Sequence, residues 1–455
     1  MSTTNAPAQK KRDTVLMTEG SIFRNILFFS APLILGNLLQ QTYNAADSII
    51  VGNFVGSNAL AAVGSSTSLI FLLIAFSQGA SVGASVIVSQ YLGAQDGKRV
   101  RLSVHTAFAI AGILGVLLTI GGLLFSKRIL IAMGTPAEVL PDSVRYLQIY
   151  SAGLIFNVLY NMAAGILNAA GNSRKSLGYL AAAAVTNIGV DLVLIGLFGW
   201  GVTGAAVATT LSQAVSCVLA MGYLLRVDAD YRVTPREMRI HPLMAKRIIQ
   251  VGLPTGIQNM VISLSNILVQ ASVNTFGAAA MAGFGAYLKI DGFCVLPMMS
   301  FSMAITTFVG QNYGAGKFDR MKKGMWVTIA MGVVYTVVMG AVLILFARQM
   351  LGFFSQDEAV IDFGVQALRI FCPFYWVPAI MHALAGTVRG TGKSIPPMLA
   401  LLFSMCIFRI IYLKTILPFF DTIFGIYILY PISWTMGMVL MVLYTWKGNW
   451  CNYHK

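Results

Sequence analysis

Charged side chains are scarce in this sequence, and their scarcity excludes a protein that folds in water. Only 10% of the 455 residues are charged and 57% are apolar, whereas a soluble domain usually carries roughly 25% charged residues. The apolar residues form segments of about 20 residues, the length that crosses a bilayer. These segments recur from Ile26 to Trp446 with short polar breaks. The sequence therefore predicts an all-α membrane protein without a soluble domain between its spans.

Cysteine is also rare, and the sequence has none of the motifs of common enzyme classes. The five cysteines are scattered, without the paired spacing of a disulfide framework or a zinc site. There is no Walker loop, no nucleophile elbow and no His/Cys metal cluster. An ATP-driven pump or a hydrolase would need one of these, so we expect neither enzyme activity nor a cofactor.

Acidic residues are outnumbered by basic ones, 16 to 31, but the placement of the basic residues does not suggest nucleic-acid binding. They lie mostly in alternate breaks between spans, as expected from the enrichment of Lys and Arg in cytoplasmic loops. The N-terminal group Lys10, Lys11 and Arg12 precedes an apolar run too long for a signal peptide. We therefore predict a retained first span, an even number of spans, both termini in the cytoplasm and an inner (plasma) membrane location.

The chain repeats itself at a constant offset. Residues of the first half match residues of the second, as in the pairs Gly56 and Gly277, Gln90 and Gln311, Gly93 and Gly314, Gly165 and Gly386, and Gly171 and Gly392. The repeat predicts twelve transmembrane helices in two six-helix bundles, residues 26–225 and 248–446. A cytoplasmic segment (1–25), a linker (226–247) and a tail (447–455) complete the chain. Because each bundle has an even number of spans, both bundles enter the membrane from the same side and form a parallel repeat. Substrate is expected in the cleft between them.

Three acids lie well inside apolar spans, where a charge costs roughly 2.5 to 3.5 kcal/mol even on the lenient insertion scale. They are Asp47, Asp191 and Asp291. Polar residues recur every three or four positions before the first of these acids and share one helical face. A face of this kind is predicted to line a cavity, which makes Gln40 and Asn44 candidate substrate contacts and Asp47 a candidate cation ligand.

The fifth span places Asn187 and Asp191 one turn apart, and Thr209 of the sixth span can lie at a similar depth. Carboxylate, amide and hydroxyl groups supply hard oxygen ligands that hold a proton or a sodium ion. In the alternative interpretation, Asp191 accepts hydrogen bonds in a helix interface and carries no ion. Asn157 and Asn161 of the fourth span can likewise contact the ion or hydrogen-bond neighbouring helices.

The seventh span has an equivalent polar stripe without an acid, which predicts that the ion site belongs to the first bundle alone. From this stripe Gln258, Asn259 and Asn266 are expected in the substrate cavity. Lys289 is two residues from Asp291 and therefore lies on nearly the opposite side of the helix. Asp291 needs another partner, and Arg409 of the eleventh span is an available one. The two residues can form a structural ion pair or bind substrate.

Two prolines occupy nearly equivalent places in the repeats, Pro32 in the first span and Pro254 in the seventh. Proline inside a spanning helix removes a backbone hydrogen bond and permits a bend. Bends at these positions are predicted to gate the cleft.

Several segments together resemble the multidrug and toxic compound extrusion (MATE) family, and the resemblance covers nearly the whole chain. The segments that carry it are Asn44-Ala45-Ala46-Asp47, Ala59-Leu60-Ala61-Ala62-Val63-Gly64, Gly204-Ala205-Ala206 and Thr307-Phe308-Val309-Gly310-Gln311-Asn312-Tyr313-Gly314. In the branch related to the DNA-damage-inducible F proteins, the cation site uses an aspartate in the first helix and an Asn-to-Asp pair in the fifth. Asp47, Asn187 and Asp191 match that pattern, and Thr209 is similar to the threonine of the sixth helix.

This resemblance implies a secondary active efflux transporter that exchanges H+ or Na+, bound at Asp47 and Asp191, for small organic cations. The expected partners are those cations and the lipid bilayer, with no nucleic acid, and the expected state is a monomer. The glutamate that another branch carries in the seventh helix is missing here. A lipid-linked oligosaccharide flippase of the same superfamily is an alternative, and a channel or a membrane-embedded enzyme is a more distant one.

Overall fold

The computed structural model describes residues 14–451, apart from the side chains at positions 57, 58, 60, 61, 65, 68 and 449. The basic residues Lys10, Lys11, Arg12 and Lys455 lie outside this range. Within it every regular element is helical, so the prediction of an all-α membrane fold is confirmed. Helices suit this setting because they satisfy all backbone polar groups within one segment.

The two halves contain the same succession of long helices. The first half consists of α1 (Ile22–Phe54), α2 (Ser57–Gly93), α3 (Gly97–Ala132), α4 (Leu140–Ala152), α5 (Leu154–Ala169), α6 (Ser173–Asp191) with a π-helical continuation (Leu192–Leu197), and α7 (Gly201–Arg226). The second half consists of α8 (Pro242–Asn274), α9 (Ala278–Gly314), α10 (Phe318–Leu345), the short α11 (Ala347–Gly352), α12 (Glu358–Phe371), α13 (Trp376–Gly390), α14 (Ile395–Leu402), α15 (Phe408–Thr415) and α16 (Phe424–Trp446). A π-helical turn, Phe403–Ile407, joins α14 to α15.

Among the described residues, nine helices are long and apolar enough to cross a membrane, and two bent pairs raise that number to 11. The bend between α4 and α5 is 48° and that between α12 and α13 is 52°. Gly153 separates the first pair, and a 3-10 turn containing Pro373 separates the second, because proline cannot continue the backbone ladder. One further helix, α8, brings the number to twelve. It has 33 residues but is more polar than the nine long helices and the two bent pairs. It begins at Pro242, earlier than the predicted 248, because proline fits the first turn of a helix.

Equivalent turns of the two halves share an unusual backbone conformation. Gly56 before α2 and Gly277 before α9 have φ values of 113° and 100°. Gly171 and Gly392, which precede the fifth unit of each half, have φ values of 78° and 90°. Only glycine adopts such angles without strain, so the glycines matched in the sequence repeat are needed for the same turns in both halves.

The halves interlock through their first helices. Ile26 and Phe29, at the start of α1, pack into the hydrophobic core of the second half. Met244, Ile248 and Val251, at the start of α8, pack into the core of the first half. Each bundle therefore uses part of the other bundle's first helix to complete its core.

At the end of the molecule where α2 and α9 finish, the halves are joined by a pair of equivalent hydrogen bonds. Gln90 donates from Nε2 to the Gly390 carbonyl oxygen at 3.0 Å. Its repeat partner Gln311 donates from Nε2 to the Ala169 carbonyl oxygen at 2.9 Å. The backbones also approach closely here, since a Cβ atom added to Gly93 would overlap the Gln311 carbonyl and one added to Gly314 would overlap that of Gln90. This end of the molecule is closed.

The segment before α1 crosses the closed end and contacts both halves. The Val15 N–H donates to the Ala170 carbonyl oxygen of the first half at 2.9 Å. The Met17 N–H donates to Gln311 Oε1 of the second half at 2.7 Å, and its carbonyl accepts from Asn312 Nδ2 at 3.3 Å. Met17 is buried, so this segment adds to the contacts that keep the end closed.

Candidate cation and substrate site

A cavity of about 440 Å³ lies among α1, α2 and the helices α4 to α7. It is on the first-half side of the molecule, and Met303 of α9 is the one second-half residue in its described lining. The sequence had placed the substrate cleft between the halves. The cavity instead takes most of its wall from a single bundle.

The polar stripe of α1 lines this cavity, as its spacing predicted. Its members at the wall include Asn37, Gln40, Asn44 and Asp47. Asn37 donates to Ser300 Oγ of α9 at 3.0 Å, which anchors one end of the stripe to the second half. The remaining polar groups of the stripe face the cavity.

Asp47, at this wall, comes together with Asp191, which lies outside the described lining of the cavity. Asp47 is 9% exposed and Asp191 is fully buried, and their carboxyl groups lie within hydrogen-bonding reach of each other. Among the described residues, both oxygens of Asp191, Oδ1 of Asp47 and both polar atoms of the Asn187 amide have no other hydrogen-bond partner. Buried polar atoms are rarely left in this condition. The arrangement suits a shared proton or a small cation.

Helix geometry explains how Asp191 reaches this position. Asn187 and Asp191 are one turn apart on α6, and α6 becomes π-helical at the next residue, Leu192. A π-helical turn widens the backbone locally and is common at functional sites. This π-helical turn follows directly after Asp191, the residue whose carboxyl group faces Asp47.

The other residues predicted for the cation site line the same cavity but have hydrogen bonds of their own. Thr209 donates to the Ala205 carbonyl oxygen of its own helix at 3.0 Å. Asn161 donates from Nδ2 to Asn157 Oδ1 at 2.8 Å and to Ser77 Oγ at 3.3 Å. The asparagine pair therefore links α5 to α2, and its contact with an ion remains a prediction.

Two tyrosines of the cavity wall were missed by the sequence analysis. Tyr146 and Tyr150 lie on α4 and line the cavity, and Gln213 of α7 donates to the Tyr150 hydroxyl at 3.0 Å. A signal was present, because Tyr146, Tyr150, Asn157 and Asn161 follow one another at helical spacing. The bend between α4 and α5 preserves the common face that this spacing predicts.

The predicted second-half residues lie outside the described lining of this cavity. Gln258 is buried, and Asn259 is half-buried on the same turn of α8. Asn266 accepts from Arg409 Nη1 at 3.1 Å, and Arg409 also donates from Nε to Ser433 Oγ at 3.1 Å. The guanidinium lies 4.5 Å from the ring centroid of Tyr430. The roles of Gln258, Asn259, Asn266 and Arg409 in substrate binding remain predictions.

The ion pair considered for Asp291 and Arg409 does not form. Asp291 instead accepts from the Tyr375 hydroxyl at 2.5 Å, and that hydroxyl lies 3.2 Å from the hydroxyl of Tyr287. Arg409 is satisfied by the amide, hydroxyl and aromatic ring described above. The ion-pair interpretation is wrong because Tyr375, which lies just before α13, supplies Asp291 with a donor that spacing along α9 cannot reveal. Tyr287, which contacts Tyr375, is on α9 itself.

The two candidate gating prolines occupy different surroundings. Pro32 lies at the cavity wall on α1. Pro254 is buried on α8, between Gly252 and Gly256, which pack against Gly79 of α2. Both lie inside a continuous helix, and their gating role remains a prediction.

An all-helical membrane protein built from two repeated halves, with a polar cavity in its interior, has the architecture of a secondary transporter. The family model described as MatE matches the chain twice, over residues 32–193 and 254–413, once in each half. The chain belongs to the MATE family of multidrug transporters.

Individual relatives span nearly the same length. The chain is 29% identical over 458 residues to the probable multidrug resistance protein YoeA of Bacillus subtilis (strain 168), with 97% of each covered. It is 24% identical over 375 residues to the multidrug export protein MepA of Staphylococcus aureus (strain NCTC 8325 / PS 47), with 82% of each covered. A solved structure described as the outward-facing conformation of a multidrug resistance MATE family transporter has the same fold. Its TM-score is 0.90 at 24% identity, with 96% of this chain and 98% of that chain covered.

Proposed function

We propose that this protein is a secondary active efflux transporter of the plasma membrane that exchanges H+ or Na+ for small organic cations. The observation that carries the proposal is the buried pair of carboxyl groups, Asp47 and Asp191, of which Asp47 lies at the wall of a polar cavity. We further propose that both termini are cytoplasmic and that the working unit is a monomer.

The chemistry of the pair favours cation exchange. Two adjacent carboxylates in a low-dielectric site repel each other strongly, so they cannot both stay ionised without a cation between them. A proton or Na+ removes this repulsion. An organic cation in the cavity competes for the same negative charge, and the two cations then exclude each other, which is the requirement for exchange.

The cavity lining favours drug export over the flippase alternative. Its described lining contains no Lys, Arg or His, while it contains Asp47 and the ring systems of Tyr43, Phe71, Tyr146 and Tyr150. A lipid pyrophosphate would require basic groups for its charge. Aromatic faces beside a carboxylate suit a cation that carries apolar rings.

Exchange further requires that the cavity open alternately to the two sides. The structure is closed where Gln90 and Gln311 join the halves, so these contacts would separate in the alternate state. We propose that cation binding at Asp47 bends α1 near Pro32 and so changes the balance between the two states. A ligand shifts such a balance only if its affinity for the two states differs.

The energy available is sufficient for useful export. A one-for-one exchange of monovalent cations moves no net charge, so the membrane potential contributes only when two coupling ions enter for each substrate cation. The one net charge that then moves down a potential of about 100 mV supplies roughly 2.3 kcal/mol. That free energy supports a substrate gradient on the order of tenfold to a hundredfold. A chemical gradient of the coupling ion adds to it.

The direct test is transport of a fluorescent organic cation by purified protein in liposomes, with pH and Na+ gradients imposed separately. We expect accumulation to follow one of the two gradients. An anionic analogue of the same shape should not be accumulated. Transport that ignores both gradients would exclude the antiport mechanism, and equal handling of the anionic analogue would exclude the proposed substrate class.

A further inference from the structure

A second concavity, separate from the transport cavity, lies on the outer surface of the second half. This outer groove has a volume of about 610 Å³ and is formed by Arg369, Ile370, Phe374, Phe424, Ile428, Pro431, Ile432, Thr435 and Met436. Its walls come from α12, the 3-10 turn that follows it, and one face of α16. Phe374, Phe424 and Ile432 are about two-fifths exposed, at 41%, 40% and 38%.

The dimensions of the groove match one leaflet of a bilayer. Its residues on α16 extend from Phe424, the first residue of that helix, to Met436. At 1.5 Å per residue this is about 18 Å, slightly more than half of a hydrocarbon core of about 30 Å. An acyl chain that enters from the end where α16 begins would lie along the groove within one leaflet.

Arg369 is the one charged residue in the described lining of the groove. It is exposed, and none of the ion pairs or hydrogen bonds recorded for residues 14–451 involves it. The other polar side chain of the lining, Thr435, already donates to the Pro431 carbonyl oxygen at 2.8 Å. The groove therefore presents a long apolar wall and one uncompensated positive charge.

The direction of Arg369 is suitable for a lipid headgroup. Helical side chains point towards the N-terminus of their helix, and α12 begins at the membrane end where Arg348 pairs with Glu358. Arg369 lies about 16 Å along α12 from Glu358, and from that position its side chain points towards the end of the helix at which a headgroup would lie. A phosphodiester there would supply the charge-assisted hydrogen bonds that an arginine fork prefers.

We propose that this groove is a binding site for an anionic phospholipid, with one acyl chain along α16 and the headgroup phosphate on Arg369. The site is distinct from the cavity at Asp47. It requires a ligand with both a long apolar chain and a negative headgroup. A zwitterionic phospholipid fills the same groove without the net attraction to the arginine.

The test is native mass spectrometry of the full-length protein titrated with dioleoylphosphatidylglycerol or with dioleoylphosphatidylcholine. Wild type should bind the first phosphatidylglycerol more tightly than the first phosphatidylcholine. Arg369→Ala should weaken the first phosphatidylglycerol about tenfold, the loss expected for one charge-assisted contact, and leave phosphatidylcholine unchanged. Arg369→Lys should restore most of the difference.

Two further variants separate groove binding from general surface charge. Ile432→Trp fills the groove and keeps Arg369, so it should weaken both lipids. Arg128→Ala removes another exposed arginine, near the last turn of α3 at the same membrane end, and should change neither. The proposal fails if Arg369→Ala binds phosphatidylglycerol as wild type does, or if Arg128→Ala has the same effect as Arg369→Ala.

Discussion

Asp191 is the residue whose surroundings differ most from those of a structural carboxyl group. It is fully buried, its neighbour is another acid, and no described donor other than that acid reaches its oxygens. A structural aspartate at this depth would be expected to accept hydrogen bonds from its neighbours, as Asp291 does from Tyr375. The contrast separates a carboxyl group available for an ion from one committed to helix packing.

We expect Asp191→Asn to leave the protein folded but to abolish coupled efflux. The amide is similar in size and removes the repulsion with Asp47, so the fold should persist while the charge that attracts the coupling cation is lost. Efflux in the liposome assay should fall to that of empty vesicles. Asp142→Asn, at an exposed acid in the first turn of α4, is the matched control. Wild-type efflux by Asp191→Asn at equal protein content would rule out this role.

Asp291 leads to the opposite expectation. Asp291→Asn keeps an oxygen that accepts from Tyr375, so coupled efflux should continue and should still respond to the same ion gradient. Asp291→Leu removes the carboxylate acceptor and leaves one proton of the Tyr287 and Tyr375 hydroxyl pair without a partner. This should cost about 1 to 3 kcal/mol of stability and lower the thermal midpoint. Loss of the ion response in Asp291→Asn, with the thermal midpoint unchanged, would instead show that the second half takes part in coupling.

The sequence could predict the acids of the first half but not the partners of Asp291. Asp47 follows a polar stripe on α1, and Asp191 lies one turn from Asn187, so spacing along single helices was sufficient. The donor to Asp291 is Tyr375, which lies just before α13, and Tyr287, one turn before Asp291 on α9, contacts the hydroxyl of that tyrosine. Tyrosines are common packing residues in membrane helices, and their spacing does not indicate which acid they will contact.

At the scale of elements, the ends of α2 and α9 form the closing contact of the molecule. The repeated sequence around Gln90 and Gln311 was recognised as a repeat, but its purpose is visible only in the structure, where each glutamine crosses to the other half. Gly93 and Gly314 permit the close approach. Sequence reasoning alone could not have derived this, because the contact joins positions that are remote along the chain.

We expect Gly314→Ala to force the ends of α2 and α9 apart. The new methyl group overlaps the Gln90 carbonyl, which is backbone and cannot rotate away, and overpacking of this kind costs about 1 to 3 kcal/mol. Hydrogen exchange of residues 86–95 should become faster, and the thermal midpoint should fall. Gly112→Ala on α3 is the control, since an added Cβ there meets no atom within 4 Å. Equal protection of residues 86–95 in both variants would contradict the closing role.

At the scale of the whole molecule, the sequence repeat predicted two halves but not how they share their first helices. The starts of α1 and α8 belong to the cores of the opposite halves, while the far ends of these helices carry the exposed residues Asn53 and Asn274. Movement of one half against the other must therefore act through α1 and α8. Those are the two helices with the equivalent prolines.

The resulting prediction concerns distances at the two membrane ends. Spin labels at Asn53 and Asn274 report on one end, and labels at Lys98 and Lys323, both exposed, report on the closed end. The labels are introduced in a background without the five cysteines. If the halves rock about the shared helices, lowering the pH or adding Na+ should change the two distances in opposite directions, because a cation at Asp47 and Asp191 favours one state by its differential affinity.

The double variant Asp47→Asn, Asp191→Asn should keep a distribution of distances but lose its dependence on the ion. Distances that remain fixed under every ion condition, while the same labelled protein continues to export its substrate, would show that exchange occurs without this movement.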